Sequence, residues 1–236
     1  MTTRSTVLPM LICLAGMAPA VPAAHAAGDA EYAIRWDPAQ GGPQTLDEIA
    51  AALGLRSGRR STFTVQYFAL EAPAGASPHF GVIARERTSD GAVESTWKLR
   101  GDMPLPAAGP LAGMRCPFAR PTQDKREVDV GWTSAGAPRR GYSHSCDADG
   151  HLAQLLPAAM PAKPAGCSSE AVRLSAKNLK LERWSLPGGR LAFEVSSNGK
   201  DRPADLEKFE RKVVRPLTAV GVRPLGASKT EMGSSC

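Results

Sequence analysis

The chain has 236 residues, a formal net charge of +6 and no dense Lys/Arg tract, so nucleic-acid binding through a basic patch is not expected. Its 42% hydrophobic content is enough for a core, and no late run of about 18 apolar residues suggests a membrane span. With 20 Pro and 23 Gly distributed along it, the chain reads as many short elements separated by turns.

Residues 1–26 read as a secretory signal peptide. Arg4 supplies the positive start, Val7 to Ala20 an apolar stretch broken by Pro9, and Ala24-His25-Ala26 a cleavage site of the A-x-A type. Cys13 belongs to that discarded segment, since Met10-Leu11-Ile12 lack the small residues expected before a lipid-attached cysteine. Residues 27–236 then form a single domain, periplasmic or secreted, with no membrane attachment. Losing Arg4 leaves that domain at about +5, a modest preference for anions.

Ala30 to Trp36 is the first expected strand. A helix follows from Thr45 to about Gly54, with Thr45 as cap, Glu48 as capping-box partner and Leu46, Ile49, Ala50 and Leu53 as the apolar stripe. Strands are expected over Thr62–Leu70, Phe80–Thr88 and Ala92–Arg100, the last two joined by the Ser89-Asp90-Gly91 turn. Pro104 to Pro121 reads as irregular. Arg126–Trp132 and Arg140–Ser145 form a second hairpin, and Leu152–Gly166 a loop with one helical turn at most. Asn178–Leu186 and Arg190–Ser197 flank the turn Pro187-Gly188-Gly189. Leu206, Phe209, Val213 and Leu217 then recur at helical spacing between Asp201 and Val220, with Pro216 as a kink or stop. The fold class is α+β, mainly β: about eight antiparallel strands in a closed barrel or tunnel with flanking helices.

Cys116, Cys146, Cys167 and Cys236 remain after signal removal. An even count in an oxidising compartment favours two disulfides, Cys116–Cys146 and Cys167–Cys236, each closing a moderate loop. A zinc site has no C-x-x-C spacing to support it.

Strand side chains alternate, so charged residues two apart share a face. Arg85 and Arg87, Lys98 and Arg100, Glu127 and Asp129, and Lys180 and Glu182 are such pairs; Glu31 shares a face with Arg35, and Glu194 with Ser196. Such faces usually meet solvent. If they instead point inward, they line a tunnel suited to a phosphate-rich anion held by Arg and Lys and a divalent cation held by carboxylates. His79, His144 and His151 read as surface or packing histidines, and Trp36, Trp97, Trp132 and Trp184 as wall packing.

The order of segments resembles the CYTH-like superfamily, the triphosphate tunnel metalloenzymes. The matching motifs are Glu31-x-Ala33-x-Arg35, Val65-Gln66-Tyr67-Phe68, Arg85-x-Arg87, Thr96-Trp97-Lys98, Leu181 to Gly189, Phe193 to Ser196 and Ser228-Lys229. The resemblance implies an antiparallel tunnel that binds triphosphate or polyphosphate, with Mg or Mn on glutamates. On this sequence Arg85, Arg87 and Lys98 correspond to phosphate binders, joined by Arg35, Arg100, Lys180 and Lys229. Glu31 and Glu194 correspond to metal ligands, with Glu127 and Glu182 as further candidates and Asp129 able, with them, to compensate for a lost carboxylate. Ala33 stands where the family has a second glutamate, which sets metal-dependent hydrolysis against two alternatives: a non-catalytic anion-binding module, or a barrel acting through its surface. A secretory address disfavours nucleotides and favours polyphosphate or another phosphorylated anion.

Overall fold

The computed structural model describes residues 28–56, 58–70, 80–105 and 113–233. The expected signal segment therefore lies outside the described residues. Among the described residues nine strands occur: β1 Asp29–Trp36, β2 Arg59–Ala69, β3 Phe80–Ser89, β4 Ala92–Gly101, β5 Gln123–Trp132, β6 Pro138–Asp149, β7 Lys163–Ala176, β8 Leu179–Ser185 and β9 Leu191–Lys200. They close in the order β1-β5-β6-β4-β3-β2-β7-β8-β9, with β9 returning to β1. The mainly-β barrel with flanking helices is thus the observed fold.

One strand, β7, is absent from the sequence expectation, which assigns its first residues to a loop. Its serines and alanines give weak alternation, and Pro164 and Gly166 signal a loop. The ninth strand has a topological consequence. A closed ring with an odd number of strands cannot alternate direction throughout, and the single parallel seam falls between β1 and β5. All other pairings are antiparallel.

The turns follow local chemistry. Asp90 and Gly91 both have positive φ, 51° and 79°, which suits a tight hairpin between β3 and β4. Helix α1 (Leu46–Ala52) is capped as its sequence dictates: the Glu48 amide donates to Thr45 Oγ1 at 3.1 Å. The Glu48 carboxylate reaches back one residue further than a standard capping box and accepts from the Gln44 amide at 2.7 Å.

Outward-facing strand residues are apolar and covered. Tyr32, Ile34 and Trp36 of β1, Leu181 of β8 and Phe193 and Val195 of β9 pack with Ile49 of α1 and with Phe209, Val213 and Leu217. Those three belong to one continuous helical rod made of α3 (Pro203–Phe209), a π-turn (Glu210–Val214) and α4 (Arg215–Ala219). Pro216 does not end the rod. The π-turn, in which the Arg215 amide donates to the Glu210 carbonyl, widens the helix just before the ring that would otherwise clash with the preceding turn.

On the opposite wall, Trp97, Leu99, Cys146 and Ala148 pack with Phe118 and with Leu152 of the short helix α2 (Leu152–Leu155). A disulfide from Cys116 to Cys146, Cα–Cα 5.8 Å, pins this covering segment to β6. The second expected bridge, Cys167–Cys236, lies outside what the structure describes. Fully burying each of these large side chains is worth about 1.5–3 kcal/mol, so the outer shell carries much of the stability.

Candidate functional site

With the outer faces apolar, alternation sends the charged faces inward. Glu31, Arg35, Arg85, Arg87, Lys98, Arg100, Lys180, Lys229, Glu127 and Glu182 line two cavities of about 390 and 240 Å³. Both cavities share Glu31, Arg35, Ile83, Arg100 and Thr230 in their walls, so they adjoin inside the barrel. Glu194 sits beside it, 1% exposed. Every charged residue singled out by alternation therefore comes to one interior, although the strand faces they occupy resemble solvent faces in sequence.

Part of the interior beside Arg85 and Arg87 is apolar. Phe63, Val65, Tyr67, Trp184 and Ala192 pack there with Met232 of α5 (Lys229–Gly233). A Cβ on Gly233 would lie 2.8 Å from the Tyr67 ring, so a glycine here lets the chain enter the barrel. This placement carries Lys229 into the site from a helix rather than from a strand of the wall.

The charges fall into three groups. In the first, Lys229 Nζ bridges Glu194 at 2.7 Å and Glu182 at 3.0 Å. Glu194 also accepts from Arg35 Nε at 2.5 Å, and Glu182 from Arg173 Nε at 2.7 Å and from Trp184 Nε1 at 2.9 Å. Burial alone would raise the Glu182 carboxyl, but Lys229 and Arg173 outweigh it and hold the group well below the ordinary carboxylate range.

In the second, carboxylate oxygens of Glu31, Glu127 and Asp129 lie within 4.8 Å of one another. Lys98 Nζ contacts Glu127 at 3.4 Å and Asp129 at 3.2 Å, and Lys125 contacts Glu127 at 2.9 Å. Arg100 Nε approaches Asp129 Oδ2 at 3.1 Å, but off the hydrogen-bond direction, so this buried oxygen accepts no hydrogen bond. Burial would raise Glu31, yet Lys229, Lys98, Arg35 and Lys180 together pull its carboxyl down to about 2.

The third group is a cluster of arginines. Arg85 and Arg87 on β3 and Arg173 on β7 project toward the same stretch of tunnel. The Arg87 and Arg173 guanidinium carbons lie 4.9 and 4.8 Å from the Phe63 ring centre. Arg87 has a single carboxylate contact, Glu94 at 3.1 Å, among the described residues. Burial, then the neighbouring Arg85 and Arg173, push Arg87 down to about 10. The Nε atoms of Arg85 and Arg87 are buried without a hydrogen-bond partner.

Several site residues escape the sequence reading. Asp129, by contrast, is legible there both as the face-mate of Glu127 and as a carboxylate able to make up for the one lost at Ala33. Lys125 precedes the expected start of β5, although its spacing from Glu127 is the same alternation. Arg173 lies on the unrecognised strand, and Asp147 extends β6 past its expected end. Buried His144 stacks edge-on to Trp97 and contacts Asp124 at 2.7 Å, exposed His151 contacts Glu86 at 3.1 Å, and His79 lies outside the described residues.

The molecule is thus a closed barrel enclosing a charged tunnel, with cations in excess near Arg85, Arg87 and Arg173. No protein-family model and no curated protein matches the sequence. Among solved structures it is similar to a candidate adenylate cyclase from Bacillus halodurans at 12% identity and TM-score 0.47, over 86% of this chain and 97% of that one. A conserved hypothetical protein from Pyrococcus furiosus gives 11% and 0.45, over 86% and 99%. A candidate adenylyl cyclase from Hippeastrum with a dominant triphosphatase activity gives 11% and 0.46, over 84% and 92%. At such identities and scores the likeness assigns no role to any residue of this chain.

Proposed function

We propose that the protein binds a linear phosphate-rich anion, tripolyphosphate or polyphosphate, inside its barrel and hydrolyses it with a divalent cation, outside the cytoplasm. The observation that carries this reading is the pair of buried, unpartnered Nε atoms on Arg85 and Arg87. Leaving such donors unsatisfied costs roughly 1–3 kcal/mol or more each, and an oxyanion in the tunnel removes that cost. Arg173 and Lys180 extend the same cationic wall.

The donor set fits a hard divalent ion. Glu31, Glu127 and Asp129 offer only carboxylate oxygens, and Asp129 Oδ2 accepts no hydrogen bond. Mg or Mn held there supplies charge neutralisation and polarises a phosphoryl oxygen or a water. The chain's own part is to orient the anion: Arg85, Arg87 and Arg173 hold its oxygens, and Lys98 and Arg100 continue the cationic lining on the adjacent strand β4. Glu182 and Glu194 fix Lys229 and Arg35, which are thereby positioning residues. The signal-like N-terminus and the Cys116–Cys146 disulfide support an oxidising, nucleotide-poor compartment.

One observation favours a non-catalytic binding module instead. Glu127 and Asp129 already face Lys98, Lys125 and Arg100, and Ala33 adds no carboxylate on β1. Thermal denaturation with tripolyphosphate, with and without Mg or Mn, followed by phosphate release on the same samples, separates the readings. A stabilising shift with metal-dependent release, both lost in Arg87→Ala, is expected. A shift without release would leave the binding module, and no shift with any polyanion would overturn the tunnel function.

A further inference from the structure

Lys98 occupies an unusual position in the carboxylate cluster. Among the described residues it is the one cation that touches two members, Glu127 at 3.4 Å and Asp129 at 3.2 Å. A single ammonium spanning two carboxylates fills the place where a bridging divalent ion would sit. Lys125 and Arg100 each hold one carboxylate of the pair from its other side. The cluster is therefore already neutralised by the protein's own cations.

The neighbouring strand supplies the contrast. On β3, Arg85 pairs in register with Thr96 and Ile83 with Lys98, so Arg85, whose buried Nε has no hydrogen-bond partner, lies one inward position along from Lys98. An anion held by Arg85 and Arg87 arrives beside the lysine. The lysine stem has four rotatable carbons and a compact head, and can turn from carboxylate to phosphate where a planar guanidinium fork could not do so as readily.

We propose that Lys98 is an internal counter-ion that holds the cation site closed until an anion draws it away. This rests on reading Glu31, Glu127 and Asp129 as cation ligands. Without the anion, a divalent ion must displace Lys98 and binds weakly. With the anion present, Lys98 transfers to a phosphate oxygen and Glu127 and Asp129 become free. Anion and cation then favour one another's binding, and by linkage each must raise the other's affinity by the same factor. Removing this positively charged site residue therefore tightens metal binding in the free protein and loosens anion binding.

The test is Mn²⁺ binding to the disulfide-intact protein, read by electron paramagnetic resonance, in wild type, Lys98→Met and Lys98→Gln. Tripolyphosphate binding is measured separately by calorimetry without metal. Both variants are expected to bind Mn²⁺ about tenfold more tightly than wild type and tripolyphosphate more weakly. At buffered free Mn²⁺, tripolyphosphate should tighten Mn²⁺ binding in wild type and not in the variants. Adding Glu127→Gln to Lys98→Met should abolish the gain. If wild type binds Mn²⁺ at a site lost in Glu127→Gln, but neither Lys98 variant binds it more tightly, the counter-ion role is overturned and the metal reading stands. If no form binds Mn²⁺ with or without tripolyphosphate, the metal reading itself fails.

Discussion

Glu182 offers a direct measure of how dry the tunnel wall is. Its side chain is fully buried and serves Arg173 at 2.6 Å, Lys229 at 3.0 Å and the Trp184 indole at 2.9 Å. Glu182→Gln keeps the shape and one acceptor oxygen but removes the charge. Lys229 then retains only Glu194, and Arg173 has no other ion pair among the described residues. Breaking a buried pair by deleting one partner costs about 3–5 kcal/mol, and the residual exposure of Arg173 and Lys229 places this case near 3. For a domain of this size that is a fall of about 6–12 °C in Tm. Urea denaturation of the oxidised protein measures it directly. Tripolyphosphate should restore more stability to the variant than to wild type, because the variant's tunnel is one charge more positive. A loss below about 1 kcal/mol would refute the reasoning, since Glu182 would then be compensated by solvent as a surface carboxylate is.

Acid should act through the same interior. The Glu31 carboxyl stands at about 2, against an ordinary 4.5, and Glu182 is likewise depressed. Groups depressed on folding contribute stability that is complete above about pH 4.5 and is lost as pH falls toward 2. Urea midpoints at pH 7, 4 and 3 should decline in that order, and a flat profile would contradict a closed, cation-rich tunnel. The Cys116–Cys146 disulfide, spanning 30 residues, should contribute about 2–4 kcal/mol. Replacing both cysteines by serine, or reducing the protein, should lower Tm and expose Phe118 and Leu152 first, as hydrogen exchange near α2 would report. Unchanged exchange there would show that apolar packing alone holds the segment.

Much of this molecule was legible along the chain because the deciding interactions are local. Thr45 and Glu48 define a helix start within four residues, and Asp90-Gly91 defines a hairpin by allowing positive φ. The alternation of Arg85 with Arg87, Lys98 with Arg100 and Glu127 with Asp129 groups the charges onto common faces whatever the fold. β7 escaped because a strand of small and polar residues takes its identity from its neighbours: β2 and β8 supply the hydrogen bonds that its own side chains do not announce. Its omission also hid Arg173 and the odd strand count that makes the β1/β5 seam parallel.

Alternation determines which residues share a face, but the direction of that face depends on closure. Charged faces usually meet water; here helices and a disulfide-pinned segment cover the apolar side, leaving the charged side to turn inward. Only that tertiary arrangement brings together Lys98 of β4 with Glu127 and Asp129 of β5, and Lys229 of α5 with Glu182 and Glu194. Sequence determined the residue types and their two-residue rhythm; the closed barrel decided which charges meet, because Coulomb pairing depends on distance in space and not on separation along the chain.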